Sequence, residues 1–213
     1  MIRYWLPIVK FMACCLAVMA VSLGNAQDNR ETSAACGMVI HPIPSSPTLD
    51  SFPASVRFQI KKALSNDIAA EAKETGADQD RSNTVPLDKA LQLWRLSSSM
   101  TDRQLYIVSW YEQAICGAHG NCAMWLVEVK GAGARNLVAS GDPKNPARTI
   151  GTGWGVGIRS NSLQPYPEIM VLAHGYRPQG GPEVEVSCKH QSGKDYVSSD
   201  CPVDCWRSLN LEN

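Results

Sequence analysis

The chain has 213 residues, with 20 basic and 20 acidic side chains, four histidines, eight cysteines and 44% hydrophobic residues. That length bounds the molecule to one domain able to bury a proper core. No block of Lys and Arg stands out, so nothing is clustered to meet a phosphate backbone, and nucleic acid is not an expected partner.

The first segment reads as a secretory signal. Arg3 and Lys10 give a positive start, with no acidic residue before Asp28, and Phe11 to Leu23 is almost wholly apolar. Gly24-Asn25-Ala26 then offers small residues to a signal peptidase, which predicts cleavage after Ala26 and a signal over residues 1–26. The apolar run falls short of the roughly 20 residues of a permanent spanning helix. Acylation at Cys14 or Cys15 is the rival reading, but Lys10 would interrupt the apolar run such a cysteine needs. No later stretch approaches spanning length, so no membrane span is expected after cleavage.

Cleavage would leave 213 − 26 = 187 residues with a net charge of 18 − 20 = −2 and 8 − 2 = 6 cysteines: Cys36, Cys116, Cys122, Cys188, Cys201 and Cys205. An even number in an exported chain points to disulfides formed in an oxidising space, the periplasm or the medium. Cys116 and Cys122 are expected to pair, because Gly117, Gly120 and Asn121 between them tolerate the backbone of a tight bend. The other four are expected to tie Cys36 to a C-terminal hairpin. The spacings Cys-x5-Cys and Cys-x3-Cys lack the paired pattern of a zinc ribbon, so no metal or other cofactor is expected.

Residues 27–50 are polar and broken by Pro42, Pro44 and Pro47, and read as an extended lead-in. A helix follows, with Ser51 as its cap, Pro53 in its first turn and Gly76 at its end. Phe52, Val56, Ile60, Ala63 and Leu64 form its apolar stripe, whereas Asp67 and Glu71 are assigned with Arg57, Lys61, Lys62 and Lys73 to the polar side. After a polar loop over 77–88, β signals take over. Candidate strands hold Leu91, Leu93 and Leu96, then Leu105–Tyr111, Cys122–Val129, Asn136–Ala139, Ile150–Ile158, Glu168–Ala173, Glu183–Cys188 and Tyr196 toward Cys201. Short strands between glycine and proline turns predict an antiparallel meander. The expected class is therefore α+β, one amphipathic helix followed by a disulfide-linked β meander, in a single globular domain over residues 51–213.

Leu105-Tyr106-Ile107-Val108, then Cys116-Gly117-Ala118-His119-Gly120-Asn121-Cys122, Trp125 and a run of β residues resemble a set of uncharacterised exported bacterial proteins. These carry a CG-x-x-GNC double-cysteine loop between strands, a later hydrophobic strand introduced by Pro and an acidic residue, and a C-terminal hairpin with a cysteine. Tyr166-Pro167-Glu168-Ile169-Met170-Val171 and Gly193 to Cys201 match those later elements. Glu168 stands where the group more often has Asp, and the N-terminal helix has no counterpart. The resemblance spans roughly residues 90–205 and implies export, a β meander and the Cys116–Cys122 pair, but no activity.

Catalytic patterns are weak. The run Gly151-Thr152-Gly153-Trp154-Gly155-Val156-Gly157 lacks the Gly-Lys-Ser/Thr ending of a phosphate loop and reads as a flexible glycine-rich strand or turn that could expose Trp154. His119 between two cysteines suggests a thiol nucleophile, but a disulfide-bonded cysteine supplies no thiolate. His41, His174 and His190 show no ligand spacing, and there is no Gly-x-Ser-x-Gly elbow. The sequence therefore reads as a non-catalytic exported domain that binds a protein or cell-envelope ligand, such as a periplasmic enzyme inhibitor. Trp154, Tyr176, Arg177 and His119 are its candidate binding residues. The alternative is a periplasmic or secreted hydrolase whose site assembles only in three dimensions.

Overall fold

The structure, a computed structural model, describes residues 38–76, 85–96, 100–140, 142–159, 166–176 and 182–201. The signal segment, Cys36, Arg177 and Cys205 lie outside these residues. The class is α+β, with one main helix and two antiparallel sheets.

Helix α1 spans Ala54–Thr75 and ends at Gly76, whose φ of 74° is the left-handed conformation that glycine adopts without a Cβ penalty. Its N-cap is Pro53, not Ser51. Ser51 instead ends the 3-10 turn Leu49–Ser51, donating its hydroxyl to the Thr48 carbonyl at 2.6 Å, and the helix starts two residues after Phe52. The buried stripe begins with Ile60 and Leu64, as expected, and then continues through Asp67 and Glu71. The 60, 64, 67, 71 spacing is one helix face, so periodicity overrides polarity here. Asp67 is paired: its carboxylate accepts from Arg148 at 2.7 and 2.8 Å and from Asn136 Nδ2 at 3.0 Å. Burial, and secondarily Glu74, raise the Glu71 pKa above the usual carboxylate value.

Sheet 1 has the order β2 (Leu91–Leu96), β3 (Gln104–Trp110), β4 (Cys122–Lys130) and β5 (Gly133–Asn136), with β6 (Gly151–Gly153) also paired to β4. One-turn helices α2 (Leu87–Ala90) and α3 (Gln113–Cys116) precede β2 and follow β3. Sheet 2 has the order β1 (Val39–Pro42), β7 (Gly155–Arg159), β8 (Glu168–Tyr176), β9 (Pro182–Ser192) and β10 (Asp195–Ser199). The outward rows of sheet 1, including Leu93, Val108 and Trp125, pack under α1 with Ile60 and Leu64. Its inward residues Leu96, Leu105, Ile107, Met124 and Leu126 share a core with Val156, Ile169, Val171 and Tyr196 of sheet 2. The result is a β-sandwich with a helix over one outer face.

The expected strand 150–158 is broken at Trp154: β6 joins sheet 1 and β7 joins sheet 2. The glycines around the break are packing positions. A Cβ on Gly153 would lie 2.2 Å from the Leu172 carbonyl oxygen, and one on Gly157 would meet Met170 at 2.9 Å. The other strand that moves is Asn136–Ala139. Pairing in β5 ends at Asn136, and Val138 forms an isolated bridge with Tyr196 that connects the two sheets. Residues 38–50 are part of the sandwich and not merely a lead-in, since β1 pairs with β7 and Met38, Ile43 and Leu49 are buried. From there the chain crosses to sheet 1, where Leu93 N–H donates to the Pro47 carbonyl.

Two disulfides are formed among the described residues. Cys116–Cys122 is the expected pair, and Cys188 joins Cys201, 13 residues away. The second cross-link therefore ties β9 to the residue just beyond the β9–β10 hairpin rather than to a distant segment.

Candidate functional site

Trp154 occupies the corner between β6 and β7, held from both sides by its backbone. Its N–H donates to the Leu172 carbonyl at 2.8 Å, and its carbonyl accepts from Ile43 N–H at 3.0 Å. The indole stacks on His174 of β8, with centroids 5.4 Å apart and planes at 21°. Its Nε1–H is buried and has no partner among the described residues.

His174 is fixed in turn. The Asn121 side chain accepts from His174 N–H at 2.7 Å and donates Nδ2–H to the His174 carbonyl at 2.8 Å, as a neighbouring strand would. Asn121 can do this because the Cys116–Cys122 loop turns back through Gly117 and Gly120, with φ of 65° and 70°. His119 is exposed on that same loop. The chain of contacts from disulfide loop to Asn121, His174 and Trp154 thus brings two of the four sequence candidates, Trp154 and His119, into one construction. Tyr176 ends β8 two residues beyond His174. Local pattern offers no reason to select Asn121 or His174, because their pairing spans 53 residues.

A second arrangement lies on the neighbouring strand β1, which pairs with β7 just beyond Trp154. His41 of β1 points inward and stacks on Trp94 of β2, with centroids 4.1 Å apart and planes at 15°. Its Nε2 lies 2.9 Å from the Ser46 hydroxyl. Burial lowers the His41 pKa, which favours a neutral imidazole. A serine beside a neutral histidine is the first half of a nucleophilic site. The second half is a pair of donors for an oxyanion, and Ser46 and Pro47 supply none: Ser46 N–H is spent on the Ile43 carbonyl and Pro47 has no N–H.

A third pair, Lys189 and Ser198, faces across β9 and β10, with Nζ donating to the hydroxyl at 2.6 Å. Burial lowers the Lys189 pKa, but the Asp142 carboxylate acts against deprotonation. A protonated amine donates to the serine and cannot act as its base.

The described residues contain no cluster of three or more His, Cys, Asp or Glu side chains suited to a metal ion. No helix among them is long and apolar enough to cross a membrane. No protein family, curated protein or solved structure matches the chain.

Proposed function

We propose that the chain is an exported, non-catalytic binding domain whose recognition surface is built on Trp154, His174 and the Cys116–Cys122 loop. One observation carries this reading: a partly exposed tryptophan is backed by a stacked histidine, which Asn121 of a cross-linked loop holds in place. An aromatic on a pre-organised backbone loses little freedom when a partner covers it. The ligand class is a protein or a cell-envelope component, and inhibition of an envelope enzyme is one form such binding could take. Two disulfides suit an oxidising compartment, and the segment over residues 1–26 supplies the route to it.

The hydrolase reading has the 2.9 Å His41–Ser46 contact in its favour. Against it stand the burial of Ser46 and the lack of free backbone donors beside it.

Affinity capture from envelope extract separates the two. The binding reading expects a retained partner that Trp154→Ala and Asn121→Ala release while Ser46→Ala keeps it. Unchanged capture by the Trp154 variant would overturn the surface. Labelling of Ser46 by an organophosphate probe would restore the hydrolase. Mass spectrometry of the exported product should find an N-terminus at Gln27, and a retained Met1 would remove the export route.

A further inference from the structure

Between the two sheets, the inward residues of sheet 1 form three cross-strand rows. Two are Leu96–Leu105–Glu128 and Trp94–Ile107–Leu126. The third is Gln92–Ser109–Met124, in which two polar side chains lie beside the apolar core. Ser109 is fully buried and Gln92 is 8% exposed. Neither Ser109 Oγ nor Gln92 Oε1 has a hydrogen-bond partner among the described residues.

Directly opposed residues of antiparallel strands place their Cβ atoms about 4.5–5.5 Å apart and on the same face. The two orphaned atoms therefore belong to opposed side chains on one face that make no direct bond to each other, and leaving each unsatisfied would weaken folding by about tenfold or more per group. A serine hydroxyl can both donate and accept, whereas the glutamine carbonyl oxygen only accepts. One molecule that donates to Gln92 Oε1 and exchanges a hydrogen bond with Ser109 satisfies both, and water has that capacity.

We infer that Gln92 and Ser109 form a binding site for a single internal water, enclosed between the sheets as a structural ligand. The site also guards the register of β2. A one-residue slip would carry Gln92 to the helix-covered face, among Val108 and Trp125, where it would meet no such partner.

Crystals of the protein should show an ordered water within hydrogen-bond distance of both atoms. Ser109→Ala should raise the unfolding equilibrium constant about tenfold, and adding Gln92→Met should raise it little further, since either change already removes the bridge. Two crystallographic results would overturn the site: a Gln92 amide reversed so that Nε2–H donates directly to Ser109, or a dry contact. A neutral or stabilising Ser109→Ala variant would overturn it as well, because deleting an unsatisfied hydroxyl relieves the fold rather than weakening it.

Discussion

Sheet 1 and sheet 2 solve the same packing problem with different residues. Strand β4 of sheet 1 is buried along both faces, from Cys122 to Val129, because α1 covers one side and sheet 2 the other. Its sequence accordingly reads as a nearly continuous apolar run. Sheet 2 has its inner face on the shared core, and on its other side Met38, Ile40, Met170 and Leu172 fill the space above Gly155 and Gly157. The exposed histidine loop, the Trp154–His174 stack and the hairpin cross-link gather at sheet 2 and its corner. Stability and recognition are thus unevenly divided: sheet 1 is the scaffold, and the surface gathers where its Cys116–Cys122 loop meets sheet 2.

The two tryptophans test that division most strongly. Trp125 is fully buried and donates Nε1–H to the Ala147 carbonyl at 2.8 Å. Trp125→Ala should lose about 3–5 kcal/mol of stability. Trp154→Ala removes a partly exposed ring and should lose only about 1 kcal/mol, with its main effect on capture of a partner. Equal losses in denaturant titrations would erase the scaffold-and-surface distinction.

Next in size is the clasp between α1 and the loop before β6. Asp67→Ala leaves Arg148 and Asn136 without their shared acceptor. Because Arg148 keeps access to water, the expected loss is about 2–3 kcal/mol, below the roughly 3–5 of a fully buried pair. Urea titration of the variant checks this, and a neutral result would mean that the helix is held by its apolar stripe alone.

The disulfides come third. For loops of 6 and 13 residues, chain entropy gives about 2.2 kcal/mol for Cys116–Cys122 and about 2.9 kcal/mol for Cys188–Cys201. The paired serine variants should therefore differ by less than 1 kcal/mol in thermal melts. The two values are close because Cys188 pairs within its own hairpin region, 13 residues away. The Cys116→Ser, Cys122→Ser variant should nevertheless lose more binding, since its loop holds Asn121.

The smallest effect is a pH dependence. Burial raises the folded-state pKa of Glu71, so its contribution is fully present below the unfolded value and is lost as pH rises through the folded value. The wild type should therefore lose stability relative to Glu71→Gln as pH rises from about 4 to about 7. Parallel melts across that range decide it, and a constant difference between the two would show that Glu71 is effectively solvated.

Most elements announced themselves locally. Leu105–Tyr111 and Cys122–Val129 combine β-branched and aromatic residues between turn signals, Gly76 marks the helix end, and two glycines with Asn121 mark a loop that a disulfide can close. These are short-range preferences, which is why sequence alone determined the α+β class, the α1–meander order and the Cys116–Cys122 pair. Tertiary structure decided what short-range pattern does not encode. Trp154 breaks an apparently single strand because its two halves find partners in different sheets. Asp67 enters the core because Arg148, 81 residues away, is there to meet it. Ser51 is not the helix cap because it closes the 3-10 turn Leu49–Ser51 and the helix begins only at Ala54, after Pro53. The candidate surface depends on Asn121 reaching His174, and the Gln92–Ser109 pair has meaning only once a second sheet closes over it. In each case the deciding partner is remote in the chain, and its distance is fixed only after both sheets have packed.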